Sequence, residues 1–111
     1  MVRLILIFFA FQASSAFALE RVRGEISRIL TTEQLFGGCM AEVRGYSGSA
    51  SCKGGWVTFD CSGDFNDKSA SRNMLETAQM AFALELPGDF WVEPGQTHNG
   101  YCVVKRVDLI R

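Results

Sequence analysis

The sequence predicts a small, mainly β domain with one helix, and its elements follow in the order β-β-β-α-β-β. Three observations lead to this prediction. Several short segments alternate apolar and polar residues, which is the two-residue period of a half-buried strand. One segment near residues 67–86 has the 3.6-residue period of a helix instead. Glycine, proline, asparagine and serine separate the segments, as they do at turns.

The first three strands are predicted before the helix. The first covers 21–30, where apolar and charged residues mostly alternate and Gly24 suits a bulge or bend. The polar stretch 31–36 is turn-like, and a glycine pair then opens the second strand, Cys39 to Arg44. A loop rich in glycine and serine covers 45–55. The third strand, Trp56 to Cys61, has the clearest signal because it is rich in aromatic and β-branched residues.

The helix and the last two strands complete the order. Asn66 or Asp67 can cap the helix, and Pro87-Gly88 ends it. The residues at its helical period are Ser71, Met74, Leu75, Ala78, Ala81, Phe82 and Leu86. We expect Met74, Met80 and Phe82 to face the core or a packing seam. A short strand, 90–93, stops at Pro94-Gly95, a turn covers 97–100, and the last strand runs over 101–110.

Three strands, a helix and two closing strands form the order of the OB-fold, a five-stranded Greek-key barrel. A long first strand with a glycine in its middle fits the curved first strand of that barrel. A ferredoxin-like arrangement would place a helix after the first strand, and the sequence has no helical period there. We therefore predict a five-stranded OB-fold.

The N-terminus has the pattern of a secretory signal peptide. Arg3 supplies a positive charge, 4–11 is an unbroken apolar run, and Ala16-Phe17-Ala18 is a small-x-small cleavage site. An apolar run of this length is too short to span a bilayer about 30 Å thick. The sequence thus predicts a signal peptide over 1–18, a single domain over 19–111, and export to the periplasm or outside the cell, with no membrane span after cleavage.

Length and charge limit the partners of the exported domain. Removing 18 of the 111 residues leaves 93, which is enough for one small domain. That part contains ten Lys and Arg residues against twelve Asp and Glu, and the two signs are interspersed. Without a basic stripe to contact phosphates, nucleic acid is not expected as a partner. The absence of a polybasic segment likewise disfavours binding to a membrane surface.

Four cysteines in a short exported chain predict two disulfides. In a hairpin of the second and third strands, Cys39 falls near Cys61 on one face. In an OB barrel the third and fifth strands run side by side in parallel, which brings Cys52 to Cys102. This reasoning favours the pairs Cys39–Cys61 and Cys52–Cys102, although the sequence alone leaves the other two connectivities open. A zinc site is disfavoured because the chain has no C-x-x-C and only one histidine.

Residues able to carry out catalysis are few. His98 is the only histidine, so no serine has an evident histidine and aspartate beside it, and we expect His98 in a polar turn. Asp60 and Asp64 are a conceivable carboxylate pair for a hydrolase, but a barrel this small offers no deep cleft, and Asp64 suits an Asx turn. We therefore expect a protein without enzymatic activity, metal or cofactor.

The outer face of the second and third strands is the predicted binding surface. If the apolar alternate residues face the interior, Met40, Glu42, Arg44, Trp56, Thr58 and Asp60 face outward. On this face OB-folds bind oligosaccharides and oligonucleotides. Trp56 offers a stacking surface, and Glu42, Arg44, Thr58 and Asp60 offer hydrogen bonds. In the alternative, the helix or the N-terminal arm covers Trp56. Aromatic residues beyond what a small core needs are Phe65, Phe90, Trp91 and Tyr101.

Two resemblances accompany these patterns. The segments GGCMAEV, CKGGWVTFDCSGDF and HNGYCVVKRVDL resemble a group of small exported bacterial proteins of unassigned function, over nearly the whole exported domain. More loosely, the signal peptide, the length, a disulfide and the element order resemble the receptor-binding B subunits of AB5 toxins. That second resemblance implies an OB-fold, a ring-shaped homo-oligomer and binding to host glycans, but it matches no sugar-binding residue to a position in this chain.

The sequence therefore predicts an exported binding module that recognises a glycan or another envelope ligand through the Trp56 face. The alternative is a periplasmic inhibitor or immunity-type protein that binds an envelope-acting enzyme through its loops. In that alternative, the contact residues would be Trp91, His98 and Tyr101. A homo-oligomer is compatible with either function.

Overall fold

A computed structural model describes residues 18–111, so the predicted signal peptide lies outside the described residues except for Ala18. The described chain has one helix and six strands. The strands are β1 (Glu20–Gly24), β2 (Ile26–Thr31), β3 (Cys39–Val43), β4 (Trp56–Thr58), β5 (Gly88–His98) and β6 (Tyr101–Leu109). The helix, α1, is Lys68–Ala83, and a short 3-10 turn covers Leu35–Gly37. Within 18–111, no helix has the length and apolar character needed to cross a membrane.

The prediction of a mainly β domain with one helix is confirmed, but a closed five-stranded barrel is not what the structure contains. All six strands form one sheet in the order β1-β5-β6-β4-β3-β2. The difference arises at Glu25, where the predicted first strand divides into β1 and β2. These two segments pair with different strands, β1 with β5 and β2 with β3, both antiparallel.

Gly24 explains why the chain can change partners at this point. A Cβ atom at Gly24 would lie 2.8 Å from Val43 Cγ1 and 2.9 Å from the carbonyl oxygen of Arg44, closer than ordinary contacts allow. The backbones of β1 and β3 can therefore approach closely only because residue 24 has no side chain. The next residue, Glu25, accepts a hydrogen bond from the backbone N–H of Arg44 at 2.9 Å. The first and last strands of the sheet are thus adjacent in the chain and close in space.

The remaining strand predictions are mostly confirmed, with shifted ends. The parallel pairing of the third and last predicted strands is present, with Thr58 opposite Val103. The predicted break at Pro94-Gly95 is wrong, since β5 continues through it to His98. The ladder of β5 and β6 absorbs the extra residues as an irregularity between Glu93 and Thr97, so the proline needs no ladder partner.

Both predicted disulfides are present. Cys39 joins Cys61 and Cys52 joins Cys102, with Cα–Cα distances of 5.6 and 5.3 Å. The first connects the start of β3 to the chain that follows β4. The second ties the loop before β4 to β6, so the two bridges clamp neighbouring parts of the sheet in a small domain.

The core lies between α1 and the inner face of the sheet. Phe59 and Phe90 are fully buried and meet edge to face with ring centroids 6.3 Å apart. The helix contributes mainly small residues to this core, with Ser71, Ala78 and Ala81 buried. The expectation that Met80 and Phe82 face the core is wrong, since they are 54% and 44% exposed. Met74, for which the same was expected, does pack against the core, together with Leu75.

Candidate functional site

The predicted outer face of β3 and β4 is only partly open to solvent. Met40, Thr58 and Asp60 were expected to point outward, but all three are buried. For Thr58 the reason is the 3-10 turn, which packs over this residue, and for Asp60 it is the loop that follows, whose backbone N–H groups bind the carboxylate. Thr58 Oγ1 donates a hydrogen bond to the carbonyl oxygen of Phe36 at 2.7 Å, and a Cβ atom on Gly37 would lie 2.6 Å from that hydroxyl oxygen.

The open part of this face is a row of three residues across three strands. The strand register places Arg28 of β2 opposite Glu42 of β3, and Glu42 opposite Trp56 of β4. Residues opposite one another on neighbouring strands have their side chains about 5 Å apart on one face. We call Arg28, Glu42 and Trp56 the Trp56 row. Arg44, the remaining outward residue of the prediction, is exposed at the end of β3.

The indole of Trp56 is half-buried and lies below an arginine. The Arg28 guanidinium carbon is 5.2 Å from the centre of the indole ring, a cation–π distance. The Arg28 side chain is 65% exposed, and its ion pair with Glu42 is long, at 3.5 Å. None of the side-chain hydrogen bonds within residues 18–111 involves the indole N–H of Trp56. This donor is therefore available to a ligand.

A second tryptophan lies in a similar setting elsewhere on the sheet. Trp91 of β5 is opposite Arg21 of β1 on one side and Arg106 of β6 on the other. Its neighbours Phe90 and Val92 point into the core, so Trp91 faces outward. We call Trp91 with its surrounding charged residues the Trp91 row; those residues are Arg21, Arg23, Asp89, Arg106 and Asp108.

Hydrogen bonds within the Trp91 row satisfy most of its polar groups. The Trp91 indole N–H donates to Asp108 Oδ2 at 3.1 Å, and Arg106 Nε donates to Asp108 Oδ1 at 3.0 Å. Arg23 donates two hydrogen bonds to the Asp89 carboxylate, of 2.7 and 2.9 Å. The hydrogen bond from Arg23 holds the pKa of Asp89 below its ordinary value, and hydrogen bonds from Arg106 and Trp91 lower the pKa of Asp108. The donors and acceptors of the Trp91 row therefore pair mainly with one another.

Asp60, expected to be a surface ligand, instead organises a loop from inside. Its carboxylate accepts hydrogen bonds from the backbone N–H groups of Phe65 and Asn66 at 2.7 Å each and of Asp64 at 3.3 Å. Burial by itself would raise the pKa of Asp60, but hydrogen bonds from Asn66, His98, Phe65 and Asp64 outweigh burial and lower it. Asp60 is therefore a carboxylate fixed in place by the turn that follows it.

His98 is not an isolated turn residue, since it binds this carboxylate. Its Nε2 lies 2.6 Å from Asp60 Oδ1, and its side chain is only 16% exposed. Because Asp60 is ionised, the histidine nitrogen must be the donor. The ring also meets Phe65 edge to face and lies against Gly37. His98 thus joins the β5–β6 hairpin to the loop after β4.

Asp64 completes a cluster of three groups that could in principle ligate a metal ion. Within the described residues, one ligand atom each of Asp60, Asp64 and His98 lies within 4.8 Å of the others. However, the 2.6 Å contact between His98 and Asp60 is a hydrogen bond, and the oxygens of Asp60 already accept several N–H donors. With its lone pairs engaged, Asp60 is poorly placed to act as nucleophile, general base or metal ligand.

Three loops meet around this cluster, and two of them have strained backbone. Phe36 and Asp60 have positive φ angles of 57° and 59°, which non-glycine residues rarely adopt. In the third loop, Asn99 and Gly100 have φ angles of 53° and 87°, as the two-residue turn of the β5–β6 hairpin requires. Phe36 also contacts Tyr101 edge to face at 5.9 Å. Apolar side chains protrude at the margin, where Leu35 is 66% and Phe65 is 42% exposed. We call these three loops, with the exposed Leu35 and Phe65, the loop cluster. Of the predicted loop contacts, His98 and Tyr101 belong to it, whereas Trp91 lies in its own row on the sheet.

Arg28 is the member of the Trp56 row that the sequence prediction missed. The signal was available in principle, since Arg28 shares a face with its alternate neighbours in the first predicted strand. Placing it beside Trp56 requires the pairing register of β2 with β3, and the irregularity between Ile26 and Arg28 shifts that register. Alternation in the sequence counts residues along one strand and does not reveal such a shift.

Comparison of this chain with protein-family models, with curated proteins and with solved structures finds no match. The site must therefore be interpreted from its own geometry.

Proposed function

We propose that this protein is an exported, non-enzymatic binding module that recognises an oligosaccharide through the Trp56 row. Thr58 and Asp60 are excluded from this surface because they are buried, and their role is to hold the loops. The strand order supports a curled, OB-type sheet, because β1 and β2 are consecutive and occupy its two ends. In that arrangement the second and third strands of the OB-fold, here β3 and β4, form the ligand-binding face together with the adjoining loops.

One observation carries the proposal: the Trp56 indole is half-buried, lies among charged side chains, and has an N–H without a partner in the described chain. The Trp91 N–H has an acceptor within the fold, whereas that of Trp56 is not buried and stays free to bond a ligand. A half-buried ring with a free donor suits a ligand that has both an apolar face and hydroxyl groups. A sugar ring has both.

The proposal places the protein in the periplasm or outside the cell, and the predicted signal peptide and the two disulfides support this location. Disulfides persist in the periplasm and outside the cell, where glycans of the envelope or of other cells are accessible. The charge balance of the exported domain supports a glycan rather than a nucleic acid as the ligand, since acidic residues outnumber basic ones.

An array of immobilised oligosaccharides tests this function, with the oxidised exported chain as the probe. We expect binding to a subset of glycans, lost by at least tenfold in Trp56→Ala and retained in Trp91→Ala. The comparison variant matters because both changes remove one half-buried indole from the same sheet. Binding that survives Trp56→Ala, or no glycan binding by the native chain, would refute the proposal.

A second candidate function is inhibition of an envelope-acting enzyme through the loop cluster. Strained backbone at Phe36 and Asp60 and the exposed Leu35 and Phe65 favour it, because strain and protruding apolar groups concentrate at binding sites. A purified peptidoglycan-cleaving enzyme should then lose activity on addition of this protein. The double variant Leu35→Ser, Phe65→Ser should abolish that inhibition, whereas Trp56→Ala should not affect it.

A further inference from the structure

In the Trp56 row the acceptor group has hydrogen-bond partners within the fold, whereas most of the donor groups do not. The one acceptor of the row, Glu42, receives the Ser27 hydroxyl at 2.7 Å on Oε1 and Arg28 Nη2 at 3.5 Å on Oε2. Both carboxylate oxygens of Glu42 therefore have a donor within the fold, and its side chain is only 30% exposed. Glu42 is therefore less open to a ligand than Arg28, whose side chain is 65% exposed.

Donors, by contrast, remain available in the same row. The Trp56 indole N–H has no partner among the described residues, and Arg28 has up to five N–H donors, of which one makes a long contact with Glu42. The guanidinium is held over the indole with its side chain 65% exposed, so its outer edge faces solvent. A guanidinium in this position can form two parallel hydrogen bonds with a carboxylate.

A second exposed guanidinium lies just beyond the end of β3. Arg44 is the first residue after this strand, two positions after Glu42. Its ion pair with Glu25 is 4.0 Å long, and its side chain is 69% exposed. The balance of hydrogen-bonding groups here favours donors, since both arginines are paired only at 3.5 Å or longer, although the charges of Glu25 and Glu42 offset theirs.

From this balance, and resting on the proposed function, we infer that the ligand is a carboxylated sugar, such as a uronic acid or a sialic acid residue. The sugar ring stacks on the exposed part of Trp56, and a hydroxyl or ring oxygen accepts the indole N–H. The carboxylate accepts two hydrogen bonds from Arg28. Arg28 is thus the residue that distinguishes acidic from neutral sugars.

The test compares acidic ligands with their neutral methyl esters. Trigalacturonic acid is titrated into the oxidised chain beside its fully methyl-esterified form, and sialyllactose is titrated beside its methyl ester. We expect at least one acidic ligand to bind about tenfold more tightly than its neutral counterpart, the gain of a charge-assisted bidentate contact. The Arg28→Met variant, which keeps an apolar stem over the indole, should remove that preference, so that the acidic ligand and its neutral counterpart bind equally. Arg106→Met in the Trp91 row is the matched control and should keep the preference.

The outcomes separate this inference from the function on which it rests. Equal binding of acidic and neutral ligands, still lost in Trp56→Ala, would overturn the carboxylate specificity and leave the glycan-binding function intact. A preference that persists in Arg28→Met would also overturn it. Tighter binding of a single-stranded oligonucleotide than of either acidic sugar would show that the row selects phosphate or bases. Absence of binding to all these ligands and to the glycan array would overturn both proposals.

Discussion

The Trp56 row and the Trp91 row contain the same kinds of side chain on the same sheet, yet their polar groups are committed differently. Each has a half-buried indole with an arginine above it, at 5.2 Å for Arg28 and 5.6 Å for Arg106. In the Trp91 row an aspartate receives both the indole N–H and the arginine. In the Trp56 row the carboxylate receives a serine and, at longer range, the arginine, and the indole N–H has no acceptor in the described chain.

Hydrogen-bond partners within the fold distinguish a structural tryptophan from one that binds a ligand. Residue type, burial and the stacked arginine are alike in the two rows, so none of these features distinguishes them. What distinguishes them is whether the polar groups find partners within the fold, because a satisfied group gains little from a ligand. The Trp91 row should therefore contribute to stability, and the Trp56 row to recognition.

The largest effect is expected from removing each indole. Trp91→Ala should reduce the free energy of unfolding by about 3 kcal/mol, since it removes a packed ring and leaves Asp108 without one of its donors. Trp56→Ala should reduce it by about 2 kcal/mol, because it removes a ring of similar burial but no indole hydrogen bond within the fold. Urea unfolding followed by circular dichroism measures both. Equal losses of unfolding free energy in the two variants would contradict the distinction between the two rows.

The next effect concerns Asp89, the buried acid of the Trp91 row. Its pKa is lowered in the folded state, so its ionised form stabilises the fold above the ordinary carboxyl pKa of about 4. That contribution is lost as the pH falls from this value toward the lowered pKa. Asp89→Asn should cost about 1 kcal/mol at pH 7, because the partner Arg23 is half-exposed and solvent screens the pair.

Urea unfolding between pH 2.5 and 7 checks this expectation. The loss of stability on the acidic side should be shallower in Asp89→Asn than in the native chain, although Asp60, whose pKa is also lowered, keeps part of the slope. Glu42→Gln in the Trp56 row is the matched control and should change stability by less than about 0.5 kcal/mol. A steeper acid loss in Asp89→Asn would contradict the assigned direction of the pKa shift.

The smallest effect is expected from the two stacked arginines. Arg106→Met should cost about 0.5 kcal/mol, because it removes an ion pair of 3.0 Å with Asp108. Arg28→Met should cost less, since its pair with Glu42 is longer and more exposed. Paired unfolding curves at low and high salt detect the difference, which should shrink as salt screens the pairs. A larger cost for Arg28→Met would mean that the Trp56 row is the structural one.

Much of the fold could be predicted from local patterns in the sequence. Alternation located most strands, the 3.6-residue period located α1, and the parallel placement of Cys52 and Cys102 followed from the order of the elements. The division of the first strand could not be predicted, because it depends on the close approach of Gly24 to β3, a contact between residues far apart in sequence. The continuation of β5 through Pro94 depends likewise on an irregular ladder with β6.

The site was predicted less well than the fold, for the same reason. Trp56 and Glu42 lie together as expected, but alternation treated Thr58 and Asp60 as surface residues. Their burial depends on the 3-10 turn and on His98, which reach them from distant parts of the chain. Periodicity describes which side of a strand a residue occupies and does not describe what later segments place over that side.

The most direct test of the account uses the two indole N–H groups as internal reporters, because the chain has only two tryptophans. In a two-dimensional nitrogen–proton spectrum, each indole gives one signal, and Trp56→Phe and Trp91→Phe assign them. On titration with the tightest-binding oligosaccharide, we expect the Trp56 signal to shift and saturate while the Trp91 signal stays in place. A saturating shift of the Trp91 signal with the Trp56 signal unchanged would contradict the account.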